Sequence, residues 1–443
     1  MEFARKSYLD RLLQRRGNGL VKVITGIRRC GKSYLLFTLF KRLLLQEGIA
    51  PDHIVEIALD LEKFEDLRNP LLLADYIRNR IVADGKMTYV FIDEIQLSFK
   101  VRRKGVNLRD VAPEDRDLCY TTFYDVLNEF RTMEGVDVYV TGSNSKTLSK
   151  DVATNFRDRG FEIRVGPLSF AEYYEAVGGE KGEAFEDYIV WGGMPLAVLE
   201  RDTVERERYL KGLFAKVYFK DICERHRISD DYVLDKIVDV VSSAIGSLTN
   251  PHKLVNTLDS VLHVKTTDAT LKKLLDYLEE SFLFTKARRF DVRGRSYISH
   301  PCKYYAEDVG LRNAKLDFRE LEKQHLLENV VYNELVRRGY SVDVGVVNAQ
   351  MRVDGVVTSR QYEIDFVVNR GNGKLYIQCA WSLDEPGKLE QETNSLKKSG
   401  DFFAKVVVTS GYAKPRSDQD GIVHVGAIPF LLEPTILDGM FRS

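Results

Sequence analysis

Near the N-terminus, Gly26-Ile27-Arg28-Arg29-Cys30-Gly31-Lys32-Ser33 follows the pattern G-x-x-x-x-G-K-S. Its two glycines allow a loop tight enough for backbone amides to surround a phosphate. Lys32 would neutralise the β and γ oxygens of a triphosphate, and Ser33 would ligate the accompanying magnesium ion. The helix opening at Lys32, Ser33 and Tyr34 would turn its positive end towards the same charge. A second segment, Tyr89-Val90-Phe91-Ile92-Asp93-Glu94, delivers two adjacent carboxylates from an apolar run. Asp93 would orient the Mg2+ shell, and Glu94 would polarise an attacking water as general base. The pattern implies ATP and Mg2+ as ligands and phosphoanhydride hydrolysis as the reaction. A plain Gly-rich turn and a strand ending in a solvated acidic turn are the alternatives.

These groups work only if strands and a helix bring them to one edge. LVKVITG (20–26) is a short β-branched run and KSYLLFTLFKRLLLQEG (32–48) a helix stopped by glycine. HIVEIALDL, MTYVFIDE (87–94) and VDVYVTGSN (136–144) read as further buried strands. Strands alternating with helices predict a parallel sheet, with ligands at its carboxyl edge. The third strand ends at Ser143 and Asn144, small polar groups able to hydrogen-bond a γ-phosphate or the lytic water, or to form a plain turn. Residues 1–17 predict a lead-in helix, and 97–122, charged and aperiodic, an exposed insertion.

At 443 residues the chain is long enough for two to four domains. Lys+Arg at 65 against Asp+Glu at 66 excludes a generally basic nucleic-acid binder, so any such contact needs a local patch. Five cysteines without a C-x-x-C pair argue against disulfides and zinc, as expected of reduced thiols in the cytoplasm. No apolar stretch approaches the roughly 18–20 residues that span a bilayer.

The segments ITGIRRCGKS, VFIDEIQ, VTGSNSKTLSKD, PLSFAEYYE and WGGMP together resemble a prokaryotic family of AAA-type P-loop ATPases with a C-terminal domain of poorly defined function. The resemblance covers nearly the whole chain and rests on the Arg-Arg inside the loop and on Gly192, Gly193 and Pro195. It implies a sensor role for Asn144 and an arginine-finger role for Arg159, acting on a neighbouring subunit of a homo-oligomer; Asp158 here precedes that arginine where the family has glycine, and Arg157 and Arg159 read equally as surface charges. Arg28 and Arg29 would hold phosphate or an acidic partner, or simply be solvated.

The expected architecture is α/β: a P-loop ATPase core (1–168), a helical lid (169–230), a winged-helix region (231–318) and a C-terminal α/β domain (319–443). In the winged helix, 266–281 would be the recognition helix and the hairpin after it a basic wing. Lys286, Arg288, Arg289, Arg293 and Arg295 make DNA a possible partner, although Asp276, Glu279 and Glu280 on the helix oppose it. The C-terminal segment resembles a restriction-endonuclease fold, with Glu328, Glu363, Asp365 and Gln378 as candidate acid-site residues. A metal-dependent nuclease also needs a lysine two positions after the second acid. Ala380 stands there, Trp381 and Ser382 do not replace it, and Lys374 lies at the other end of its strand. The resemblance therefore implies a degenerate domain used for binding, with nuclease action the less favoured reading.

Overall fold

The computed structural model describes residues 2–142, 159–228, 231–262, 265–319, 321–353, 356–371 and 373–441. They fold into two compact units. The N-terminal unit holds residues 2–166 with 280–282, and the C-terminal unit holds 167–279 with 283–443.

The N-terminal unit is built on a parallel sheet of five strands: β1 (Val21–Thr25), β2 (Ile54–Ala58), β3 (Thr88–Asp93), β6 (Val136–Thr141) and β7 (Gly160–Arg164), in the order β2-β3-β6-β1-β7. Two further short strands, β4 (Val101–Arg102) and β5 (Tyr120–Thr121), pair antiparallel as the stem of a hairpin holding the 97–122 insertion. Helices α1 (Lys6–Gln14), α2 (32–46, with a π segment at Leu35–Phe40), α3 (Pro70–Arg78) and α4 (Phe123–Arg131) accompany the sheet.

The strands alternate strictly between two chemistries. Val90 and Ile92 of β3, with Val138 and Val140 of β6, join an aliphatic core with Leu73, Ile77, Val126 and Phe130 of α3 and α4. The residues between them face the other way. Phe91 lies 6.1 Å from Phe37 and 5.8 Å from Phe40 of α2, and Tyr139 lies 5.1 Å from Phe40. Because side chains alternate with period two, Asp93 shares the face of Phe91, and Thr141 that of Tyr139. Both therefore point to the side covered by α2. Truncating Phe91 to alanine would cost this packing about 3–5 kcal/mol.

The C-terminal unit begins with helices α5 (Phe170–Val177), α6 (Lys181–Trp191), α7 (Pro195–Leu199) and α8 (203–226), followed by α9 (Asp231–Ser243), α10 (Pro251–Leu262) and α11 (Asp268–Glu280). Ser169 and Glu172 close a capping box on α5. The Gly192–Gly193 turn meets α12 (Val309–Lys315): Asp308 accepts the amides of Gly193 at 2.7 Å and Leu311 at 2.9 Å. A Cβ on Gly192 would lie 2.3 Å from Asp308 Oδ1, and one on Gly193 would lie 2.2 Å from the Leu168 carbonyl. The two glycines are therefore required by packing.

The remaining elements are the strands β8 (Phe284–Asp291), β9 (Ser296–Ala306), β10 (Ser341–Val353), β11 (Val356–Arg370), β12 (Gly373–Ala380), β13 (Ala404–Thr409), β14 (Arg416–Ser417) and β15 (Val423–Gly426), with helices α13 (Lys323–Arg337), α14 (Lys388–Lys397) and α15 (Ala427–Leu432). The strands form one sheet in the order β14-β15-β13-β12-β11-β10-β8-β9. Its continuity crosses the boundary expected at 318. β8, expected as part of a separate wing, pairs parallel with β10 through Arg289, Phe290 and Asp291. A bulge between Ala287 and Arg289 interrupts the β8–β9 ladder, and such bulges bend a strand.

Candidate functional site

In the N-terminal unit, β1 runs into the Gly26–Ser33 loop and α2 leaves it. The loop needs backbone conformations that few residues adopt: φ is 140° at Gly26, 64° at Arg29 and 98° at Gly31. A Cβ on Gly26 would meet the Val165 carbonyl at 2.0 Å, so no side chain fits there. Lys32 is buried and folds back over its own loop, with Nζ donating to the carbonyls of Gly26 at 2.9 Å and Ile27 at 3.1 Å. Ser33 is exposed, Arg28 half-buried and Arg29 exposed. Tyr34 sends its hydroxyl to Glu2 at 3.1 Å.

The two acids arrive at the same edge. The register pairs Ile24 with Thr141 and Val140 with Ile92, so the ends of β1, β6 and β3 lie side by side. Thr141 joins the acids to each other: its hydroxyl donates to Asp93 Oδ1 and accepts the Glu94 amide at 3.1 Å. Glu94 takes the left-handed region at φ 52°, which turns the chain after β3, and the Gln96 side-chain amide donates to Glu94 Oε2. Oxygen donors, a buried ammonium and a tightly curled loop thus share one sheet edge, a donor set that suits a hard divalent ion and phosphate oxygens.

Two contributors escaped sequence reasoning. Thr141 ends a strand, and strand position alone could have drawn attention to it. Arg5 had no local signal. It is 2% exposed, its Nη2 donates to the carbonyls of Cys30 and, at 2.9 Å, Gly166, and its guanidinium lies 5.3 Å from the Tyr8 ring. The Tyr8 hydroxyl accepts the Gly166 amide at 3.2 Å, and Cys30 Sγ lies 3.2 Å from the Val165 carbonyl. The turn after β7 and the start of α1 therefore brace the loop from behind.

Asn144, with Ser143, lies outside the described residues. Arg159 is described and exposed, and its carbonyl accepts the amide of Val21, the first residue of β1. It therefore sits at the amino edge of the sheet, opposite the loop. There it lines a cleft of ≈ 490 Å³ with Lys100, Arg103, Asp117 and Asp125.

In the C-terminal unit the five expected basic contacts do not form one patch. Arg289 is a correction: it is 4% exposed and donates to Gln361 at 2.8 Å, because β8 is paired on both sides at that point. Arg293 donates to the carbonyls of Lys398 at 2.7 Å and Asn348 at 3.3 Å. Arg288 lies 4.2 Å from the Tyr297 ring and 3.9 Å from Asp343, and Lys286 is half-buried. Arg293 and Arg295 line a cavity of ≈ 670 Å³ with Lys374 and Asp401. Burial lowers the Lys374 pKa, and the lysine rests between the rings of Phe290 at 4.9 Å and Phe403 at 5.3 Å.

The expected acids Glu328, Glu363 and Asp365 do converge, but on a lysine absent from the local pattern, Lys303 of β9. Gln378 accepts the Asp365 amide at 3.3 Å and donates to Glu392 at 3.1 Å. Ala380 is fully buried. Burial works against the charge of Lys303, and Glu328, Asp365 and Glu363 outweigh it, so its pKa lies above the ordinary lysine value. Burial and then Glu328 push Asp365 well above the usual carboxylate range.

The strand order, the curled loop entering a helix and the acids at the end of β3, one strand removed from β1, define a P-loop ATPase fold of the AAA type. The family described as an AAA domain matches residues 18–174, and a domain of unknown function matches residues 182–322. An uncharacterized protein from Haemophilus influenzae is 30% identical over 435 residues, 97% of this chain and 98% of that protein. The chain belongs to the family of that protein. An uncharacterized protein from Methanocaldococcus jannaschii is 28% identical over 397 residues, 86% of this chain and 78% of that one. The structure of the Aeropyrum pernix ORC1 protein in complex with DNA gives a TM-score of 0.28 at 12% identity, covering 73% of this chain and 94% of that one. No helix among the described residues is long and apolar enough to cross a membrane.

Proposed function

We propose that the chain binds Mg-ATP at the edge where β1 and β3 end, and hydrolyses it. The observation that carries this is the Thr141 hydroxyl, which ties Asp93 and Glu94 together beside the strand that enters the loop. In this reading Gly26 through Tyr34 form the phosphate segment. Lys32 exchanges the neutral carbonyls of Gly26 and Ile27 for phosphate oxygens, which bind an ammonium more strongly. Ser33 and Asp93 are the oxygen donors for magnesium, and Mg-ATP supplies the reactive phosphoanhydride with its charge partly neutralised. Glu94 receives the proton of the attacking water. Asn144 is proposed as a sensor. Arg159, at the far edge, serves only a neighbouring copy's nucleotide, which makes a homo-oligomer part of the proposal. The C-terminal unit receives the nucleotide state as an interaction module, with DNA a partner through Arg288 and Arg295.

Phosphate release from the full chain tests this. Lys32→Ala should abolish it, and Glu94→Gln should retain ATP without turnover. Wild type releasing no more phosphate than Lys32→Ala, with or without DNA, would refute hydrolysis. The hydrogen bond from Gln96 to Glu94 favours a second reading, a nucleotide-gated switch with little turnover, because it occupies the base. A rise in basal release in Gln96→Ala would support that restraint.

A further inference from the structure

Four charged side chains from three separate elements meet inside the C-terminal unit. Lys303 Nζ lies 2.8 Å from Glu328 Oε1, 2.7 Å from Glu363 Oε1 and 3.6 Å from Asp365 Oδ1. Glu363 and Asp365, two residues apart, share one face of β11, and Glu328 comes from α13. The Lys303, Glu328 and Asp365 side chains are 3%, 4% and 7% exposed, whereas Glu363 forms the rim at 31%. Tyr305, two positions along β9, donates its hydroxyl to Glu328 Oε1 at 2.6 Å, and Cys379 donates its amide to Asp365 Oδ2 at 2.8 Å.

Carboxylates crowded in a dry interior are neutralised by protonation or by a cation, either a divalent ion or an ammonium. We propose that Lys303 is the resident cation of this cluster, an ammonium standing where the three carboxylates would otherwise hold a metal, and that it closes the site to metal-dependent chemistry. The distances favour it. Contacts of 2.7 and 2.8 Å are ammonium–carboxylate hydrogen-bond lengths, and Mg2+ would need oxygens at about 2.0–2.1 Å. Charge favours it too, since the ammonium meets Glu328 and Glu363 at hydrogen-bond distance and Asp365 adds a third acidic group at 3.6 Å. Packing holds the lysine in place: the Tyr305 ring lies 4.1 Å from Tyr332 and 5.8 Å from Phe366, walling the strand against α13 and β11. The same lysine fastens the β8–β9 hairpin to the body of the sheet.

The test uses the full chain without nucleotide and Mn2+ alone as probe, its uptake read from the spectrum of free Mn2+. Wild type, Lys303→Met and Lys303→Gln are compared, each with and without Asp365→Asn. Any uptake at Ser33 and Asp93 is indifferent to Asp365 and subtracts out. Wild type should show no Mn2+ uptake that Asp365→Asn removes. Lys303→Met should gain one equivalent, lost again when Asp365→Asn is added. Folding is followed by tryptophan fluorescence, because Trp191 and Trp381 both lie in this unit. A Lys303→Met protein that folds only with Mn2+ present also supports the proposal, the ion having replaced the lysine. Asp365-dependent uptake by wild type overturns it, as does a folded Lys303→Met or Lys303→Gln that takes up none. Should neither variant fold, the wild-type comparison decides alone: uptake lost in Asp365→Asn overturns the proposal, and its absence upholds it.

Discussion

Lys32 and Lys303 are both buried lysines, yet their partners differ in kind. Lys32 donates to two neutral carbonyls of its own loop, whereas Lys303 donates to carboxylates brought from a helix and a strand. The acids mirror this contrast. Asp93 has a neutral hydroxyl from Thr141 as partner and keeps lone pairs for another ligand, whereas Glu328 and Asp365 already face an ammonium. A lysine on carbonyls can be drawn to phosphate, because a charge-assisted bond is roughly twice as strong as a neutral one. A lysine among carboxylates has nothing to gain by moving. The same residue types can therefore form a working site or a fixed joint, according to whether the ion pair is already complete.

Exchanging the two lysines in turn gives the largest expected effects, and they should cross. Lys32→Ala should lower phosphate release by at least about 10²–10³-fold, as removal of a charge-stabilising donor does. It should leave the tryptophan-reported unfolding of the C-terminal unit unchanged. Lys303→Met leaves buried carboxylates without their cation and should destabilise that unit by about 3–5 kcal/mol in urea unfolding. Lys303→Met unfolding like wild type would end the distinction between the two lysines.

Asp308 sharpens the comparison, since the groups that hold it are backbone amides, with no cation among its hydrogen-bond partners in the described residues. Burial pushes its pKa from 3.8 to about 6, against the opposing pull of the Gly193, Leu311 and Gly310 amides. A carboxyl whose folded pKa is raised favours the folded state fully below its unfolded pKa, and that contribution is lost as pH rises through the folded value. The displacement corresponds to about 3 kcal/mol. Between pH 4 and pH 7, Asp308→Asn should therefore gain about 2 kcal/mol of that relative to wild type, whatever its constant cost from the lost amide contacts. Parallel pH profiles for the two proteins would show that Asp308 is not held neutral by burial.

What could be read in advance follows the range over which each interaction acts. The loop and the paired acids were legible because each is contiguous and bounded by an apolar strand. Lys303 was not. The local rule looked two positions beyond Gln378 and found Ala380, whereas the lysine is delivered by β9 of a hairpin that joins the sheet through β10, a pairing that no local periodicity announces. Arg5 was hidden similarly, reaching Cys30 and Gly166 from the start of the lead-in helix. Arg289 was misjudged as exposed because a basic hairpin read alone has two open edges, and this one has a neighbour on β8.

The smallest effect tests whether the nucleotide edge depends on a neutral partner for its acids. Thr141→Val keeps the shape but leaves Asp93 and the Glu94 amide without the hydroxyl, and an unsatisfied buried group costs about 1–3 kcal/mol. If the hydroxyl positions the acids, the Mg2+ concentration for half-maximal phosphate release should rise by roughly 10–100-fold at the upper end of that cost. ATP affinity without magnesium should hardly change. Thr141→Ser restores the hydroxyl and should restore the Mg2+ dependence, which a merely steric role for the threonine would not predict. Should Thr141→Val respond to Mg2+ as wild type does, the acids need no such partner. The contrast with the Lys303 cluster would then rest on the lysines alone.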